Sequence, residues 1–341
     1  MRIPDDVAEE LIRIVGYDDL PVTTISGRIP EPLAQPLRDL RERVKDLLVA
    51  AGMQEILTYS LVSHDLLRRV VPPEELALTP PLRVQNPLST EREVLRTSLR
   101  GNALEALARN LRGRRAEVAL FETAVVFIPR AGDLPEERES LVGVVGGRRA
   151  DRWGQPGPDP VDFFDAKGYL EALFAGLRLT PEWIATEEYG LLSGRTAAIR
   201  IDGRDVGVLG QVHPDRAAEF DLDADAFLFD LRLDLLTGPG RAVRDYRPYA
   251  TFPTVEQDLA VVVDVATPAA DVLAVIREGR FVSAARLFDE YSGERVPPGK
   301  KSLAFAVSFQ APDRTLTDEE VAGARRRLIA ALERRTGAAL R

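Results

Sequence analysis

The order of strand-like and helix-like segments in the last hundred residues limits the fold more than any other feature of this sequence. Apolar alternation marks strands at residues 259–263, 285–291 and 303–309. Thr267-Pro268 is expected to cap and start a helix reaching about Gly279. A longer helix is predicted over residues 318–336, opened by the capping box Thr317-Asp318-Glu319-Glu320, in which Thr317 and Glu320 satisfy each other's backbone amides. Val321, Ala324, Leu328 and Leu332 form its apolar stripe. With a candidate last strand at residues 338–341, the order is βαββαβ, the ferredoxin-like arrangement. That order does not by itself say what the unit binds. Gly238-Pro239-Gly240 marks the clearest boundary ahead of it.

Upstream, Val7, Leu11, Ile14 and Val15 give helical spacing over residues 5–15, with Gly16 as a stop. Residues 21–36 are proline-rich and read as a linker, followed by a helix over 36–51 ended by Gly52. A third helix spans residues 99–111. Strands are expected at 118–128 and 141–146, separated by a charge-rich connection, and residues 151–160 read as a loop. After a helix at 165–177, strands at 196–201 and 205–212 flank Asp202-Gly203, a pair suited to a type I′ hairpin because both positions take positive φ. A strand at 227–233 completes this region, which reads as a mainly antiparallel sheet with helices. The whole chain falls in the α+β class.

Composition removes several chemistries. Zero cysteines exclude disulfides, thiol nucleophiles and cysteine-ligated metals, and two histidines exclude a three-histidine site within one chain. No apolar run has the roughly 18 residues of a membrane helix, and the N-terminus has no apolar signal segment, so a soluble, cytoplasmic chain without a membrane partner is expected. The net charge of −9 argues against general nucleic-acid binding, and no DNA partner is expected. Two segments depart from that average. Residues 280–341 hold 12 basic and 8 acidic side chains, and residues 83–115 hold 8 and 3. A solvated helix face and a polyanion contact both fit such stretches.

Four groups of residues bear on chemistry. Gly293 to Gly299-Lys300 has the wrong spacing for a phosphate loop, with Lys301 where Ser or Thr belongs, and reads as a turn. His213 stands before Pro214 at a helix start without a nucleophile nearby, and His64 has no more support. Asp6, Glu9 and Glu10 share one helix face; they fit a hard cation such as Mg²⁺, and equally an acidic first turn complementing the helix dipole. Asp289 and Tyr291 lie two apart on a strand, near Arg295, Lys300 and Lys301. That arrangement suits base stacking with phosphate contacts, and also a tyrosine buried in a sheet.

At these residues the chain resembles the C-terminal half of the bacterial phenylalanyl-tRNA synthetase beta subunit, across essentially its whole length. The resemblance rests on Ile12-Arg13-Ile14-Val15-Gly16-Tyr17-Asp18, Asn86-Pro87-Leu88-Ser89, Leu95-Arg96-Thr97-Ser98-Leu99, Leu120-Phe121-Glu122 and Asp165-Ala166-Lys167-Gly168. It continues through Gly207-Val208-Leu209-Gly210-Gln211-Val212-His213-Pro214, Phe288-Asp289-Glu290-Tyr291-Ser292-Gly293 and Arg314-Thr315-Leu316-Thr317-Asp318. It implies three parts: residues 1–22 as the remnant of a small preceding domain, 23–240 as a class II synthetase-like module without catalysis, and 241–341 as a ferredoxin-fold anticodon-binding domain.

The implied function is that of a non-catalytic subunit of phenylalanine–tRNA ligase. The implied partners are an alpha subunit in an (αβ)₂ heterotetramer and tRNA-Phe, with ATP and Mg²⁺ used at the alpha subunit. The module lacks the family's two ATP-clamping arginines: none stands in Leu120-Phe121-Glu122-Thr123, and Gly207 to Gln211 leads to His213-Pro214. No catalytic residue is therefore assigned. The 92–115 region is implied at the subunit interface. Asp289 and Tyr291 are implied to meet anticodon bases. Asp6, Glu9 and Glu10 match three of four Mg²⁺ carboxylates, the fourth having no counterpart. The OB and editing domains of the family also have no counterpart, so a fragment or a split-gene product is expected. The alternative is a stand-alone tRNA-binding paralogue without an alpha partner.

Overall fold

Helices and strands follow the chain's own punctuation closely. This computed structural model describes residues 3–29, 31, 33–112, 117–149, 159–237 and 251–341. The chain divides into two compact units, Met1–Ala242 and Val243–Arg341. Gly238-Pro239-Gly240 and most of the expected 151–160 loop lie outside the described residues.

The first unit opens with α1 (Pro4–Val15), which buries none of its residues, and continues through an exposed segment to α2 (Pro36–Ala51). Proline at the first position of α2 needs no amide partner. Gly52, at φ +107°, closes the helix by donating to the carbonyls of Leu48 and Val49. Then come β1 (Gln54–Glu55), β2 (Leu61–Val62), α3 (His64–Val70), α4 (Pro73–Leu78), β3 (Val94–Leu95) and α5 (Arg100–Arg112). The main sheet is built from β4 (Glu117–Arg130), β5 (Asp133–Gly147), β6 (Glu182–Ala185), β7 (Leu191–Ile201), β8 (Arg204–Val212) and β9 (Ala226–Arg232). Helix α6 (Phe163–Leu177) follows β5, and α7 (Pro214–Glu219) follows β8.

The seven strands run in the order β1-β4-β5-β9-β8-β7-β6, antiparallel throughout except for the parallel β1–β4 pair. One face packs on α3, α5 and α7, with Leu66, Leu104, Leu107, Val142 and Leu228 in its core. The other packs on α2 and α6, around Leu48, Phe121, Leu141, Phe174 and Phe229. Both faces are covered, which is why long stretches of β5 and β9 are buried without alternation.

Two expectations change here. Residues 136–139, a charge-rich run expected to connect two strands, belong to β5 and pair in register with Val125 to Ile128 of β4. Three of these residues are half-buried in ion pairs, Glu139 with Arg41 and Glu136 with Arg130 and Arg138, so the strand pairs without hydrophobic side chains. Helix α6 begins two residues before the expected start because Asp162 caps it, accepting from the amides of Phe164 and Asp165. The Asp202-Gly203 turn has the expected type I′ signature, with φ of +51° and +76°.

The second unit is β10 (Val255–Asp264), α8 (Ala269–Arg277), β11 (Val282–Tyr291), β12 (Lys300–Phe309), α9 (Asp318–Thr336) and β13 (Ala339–Leu340). The sheet order is β11-β12-β10-β13. Leu303, Phe305, Val307 and Phe309 on β12 and Leu259, Val261 and Val263 on β10 face the two helices. The capping box of Thr317 and Glu320 forms, and Val321, Ala324, Leu328 and Leu332 are the buried residues of α9. Thr267 does not cap α8. The N-cap is Pro268, which has no side-chain acceptor, and Thr267 donates its amide to the Asp264 carbonyl in a turn one residue too early.

Candidate functional site

The bare face of the second unit's sheet is where sequence-predicted residues come together. After a first register shift between Val282 and Ala284, side chains of β11 alternate from Ala284 to Leu287, which pairs with Phe305 on the helix-facing side. A bulge at Phe288 then shifts the register, so that Asp289 pairs with Ala304 and Tyr291 with Ser302. A regular strand would have put Leu287, Asp289 and Tyr291 on one face, and that face is the core. The bulge instead delivers the carboxylate and the aromatic ring to the open face, the kind of re-aiming that bulges provide.

Around them the surface is low. Ala260 and Val262 of β10, Ser302, Ala304, Ala306 and Ser308 of β12 and Ala284 of β11 share that face. Beside Asp289 and Tyr291 these small side chains leave a low floor, with Glu256, Asp258 and Arg286 further along the same face. Tyr291 is 38% exposed. Arg341 packs its guanidinium 5.5 Å from the centre of the Tyr291 ring and donates through Nη1 to Ser302 Oγ at 3.3 Å. Its backbone amide donates to the Ala260 carbonyl, which fixes the chain end over the sheet. Gly293 completes the seat: a Cβ there would fall 2.3 Å from the Tyr291 hydroxyl.

The cations expected beside Tyr291 are used differently. Lys300 pairs with Asp264 at 3.3 Å and Lys301 with Glu290 at 3.8 Å. Arg341, at the far end of the sequence, is the one found on the ring, together with Arg286 exposed on the same face. Sequence separation hid Arg341, and only the antiparallel return of β13 brings it across β10.

Asp6, Glu9 and Glu10 are not assembled into a cation site. Asp6 accepts from the Ile3 amide at 3.3 Å as a helix-start carboxylate, and Glu10 pairs with Arg13. Among the described residues, no group of three or more His, Cys, Asp or Glu side chains has cation-holding geometry. Asp6 lies in the first turn of α1, where a carboxylate complements the helix dipole, while Glu9 and Glu10 lie beyond it. His213 caps α7 by accepting from the Asp215 amide, and the glycines of 293–299 form a turn with Gly299 at φ +79°.

In the first unit, Glu122 is buried against Arg96 at 3.0 Å and accepts from the Thr58 amide and hydroxyl, while Arg96 also donates to the Val125 carbonyl. Glu122 on β4 is thus closed off by an internal ion pair. Arg100 bridges Asp230 and Glu188, each at 2.7 Å. Burial opposes its charge, but the two carboxylates outweigh burial and hold its pKa above the ordinary value. Gln211 accepts from Arg195 at 2.7 Å. A separate cavity of about 640 Å³ opens beside the edge strand β1, lined among others by Leu57, Tyr59, Arg92, Asn102 and Arg109. Leu57 and Tyr59 are largely exposed there, and Arg92 stacks on Tyr59 at 3.7 Å.

The second unit is thus a ferredoxin-like domain whose open sheet face carries an aromatic ring and a carboxylate. Residues 250–341 match the ferredoxin-fold anticodon binding domain, and residues 20–233 match the phenylalanyl tRNA synthetase beta chain CLM domain. The chain belongs to the phenylalanyl-tRNA synthetase beta chain family. Its relatives include proteins named phenylalanine–tRNA ligase beta subunit from Moorella thermoacetica, 40% identical over 98% of this chain, and Geobacillus kaustophilus, 40% identical over 100%. The relative of that name from Bacillus thuringiensis subsp. konkukian is 38% identical over 100%. The chain spans less than half the length of these relatives: 42%, 42% and 43% respectively. Among the described residues no helix is long and apolar enough to cross a membrane.

Proposed function

We propose that this chain acts as the C-terminal, non-catalytic part of a phenylalanine–tRNA ligase beta subunit in the cytoplasm. Residues 241–341 bind the anticodon of tRNA-Phe, 23–240 form the synthetase-like module that docks an alpha subunit within an (αβ)₂ assembly, and 1–22 end a small preceding domain. The observation that carries this reading is the bulge at Phe288, which turns Asp289 and Tyr291 onto the open sheet face.

In this reading an unstacked base lies on the Tyr291 ring, whose orientation is fixed by Arg341 and by the space Gly293 leaves. Asp289, an acceptor only, selects a base edge that presents N–H donors. The alpha subunit docks over the cavity of Leu57, Tyr59 and Arg92, where an exposed aliphatic, an aromatic and an arginine form the composition of an interface core. ATP and Mg²⁺ chemistry takes place at the alpha subunit. In this chain Glu122 and Arg96 neutralise each other. Asp6, Glu9 and Glu10 do not make a Mg²⁺ site on their own.

The test is to mix the chain with a bacterial alpha subunit and assay charging of tRNA-Phe, with Tyr291→Ala in parallel. Complex formation is expected, together with a loss of about tenfold in tRNA affinity for the variant, in the range of one base–aromatic stack. Binding of tRNA without any complex would favour the stand-alone paralogue. Equal affinities of variant and wild type would remove Tyr291 from the RNA interface.

A further inference from the structure

A second basic feature lies at the free edge of β10, against α9. Strand β13 pairs only with Val261 and Val262, and among the described residues no strand lies along that edge at residues 255–259. Between this edge and α9 is a cavity of about 540 Å³ lined by Gln257, Asp258, Ala322, Arg325 and Arg326.

The charges in it are uncommitted. Two arginines of this unit, Arg335 and Arg314, are paired with Glu278 and Glu320. Arg325 and Arg326 make no ion pair among the described residues. Gln257 turns its side-chain amide inward, where Oε1 is buried without a hydrogen-bond partner. Two free guanidiniums at one cavity are phosphate-binding chemistry. Asp258 narrows the class of anion, because a carboxylate in the cavity repels a bare phosphate unless the ligand also brings a hydrogen-bond donor. In RNA the ribose 2′-hydroxyl beside each phosphate is that donor, and DNA has none.

We propose that this groove holds the sugar–phosphate backbone of an RNA strand, with phosphates on Arg325 and Arg326 and a ribose hydroxyl on Asp258. It rests on the reading that the unit binds tRNA, and adds a contact that carries no base information.

The experiment measures binding of the full chain to an anticodon stem-loop RNA of tRNA-Phe, to the same loop with an altered anticodon, and to an all-deoxy version, across salt concentrations. The R325A/R326A double variant is expected to bind both RNAs about tenfold more weakly at about 50 mM salt, and to lower the salt slope by roughly one to two. Arg325→Lys with Arg326→Lys should keep most of that slope. If the double alanine variant fails to fold, Arg326→Ala alone, at an exposed position, should lower the slope by about one. Tyr291→Ala, by contrast, should weaken only the cognate loop and leave the slope unchanged. A folded double variant with wild-type affinity and slope overturns the groove. Equal wild-type affinity for RNA and its deoxy version overturns the ribose contact. A silent Tyr291→Ala beside an effective arginine pair means that the anticodon face fails while the groove stands.

Discussion

At the scale of single residues, two internal polar groups carry testable consequences. Arg96 and Glu122 are 3% and 1% exposed, so each keeps the other from being an isolated buried charge. Glu122→Ala is expected to destabilise the first unit by about 3–5 kcal/mol in urea unfolding; a shift below about 1 kcal/mol would mean that water or a relaxed Arg96 takes its place. Tyr169 donates to Glu117 at 3.2 Å, and burial first, then that carboxylate, pushes its hydroxyl from 10.0 up to about 12. In the unfolded chain tyrosine ionises near pH 10, before the folded one does. Its contribution is therefore whole below pH 10 and is lost as the pH rises towards about 12. Tyr169→Phe should flatten the alkaline limb of the stability curve relative to wild type. Parallel limbs in the two proteins would show that the shift is not there.

Among the elements, β11 decides the most. Its sequence alternates plausibly in either sense around Phe288, and nothing local to residues 285–291 reveals which residue is the extra one. The partner strand reveals it, because Phe305 and Leu303 must both face the helices, and only a bulge between Leu287 and Asp289 reconciles that register with the chain length. Deleting Phe288 should restore regular alternation by joining Leu287 directly to Asp289, which leaves Asp289 and Tyr291 paired with Ala304 and Ser302 on the open face. The expected outcome is a folded variant that still binds tRNA; a folded deletion variant that has lost binding would show that Phe288 itself, and not only the facing of Asp289 and Tyr291, makes the site. Glycines on the large sheet tell a similar story. A Cβ on Gly143 would enter the Phe229 ring at 2.0 Å, and one on Gly207 would meet the Asp230 carbonyl at 2.2 Å. Neither need is legible from the neighbours of those glycines in sequence.

For the whole molecule, the proposed division of labour predicts that the purified chain catalyses no ATP–pyrophosphate exchange, and that adding an alpha subunit restores it. Exchange by the chain alone would sink the non-catalytic reading. Helices α2, α5 and α9, the Asp202-Gly203 hairpin, the α+β class and the βαββαβ order could all be read from the sequence. These depend on local rules: apolar period, capping residues and the few residues that accept positive φ. Tertiary structure alone decided that the charged residues 136–139 form a strand, since their partners lie across a hairpin. It likewise decided that Arg341 reaches Tyr291, that Arg96 closes on Glu122, and that Asp6, Glu9 and Glu10 do not converge. Each of these depends on which strand lies beside which and in what register, a long-range choice that no short window of sequence encodes.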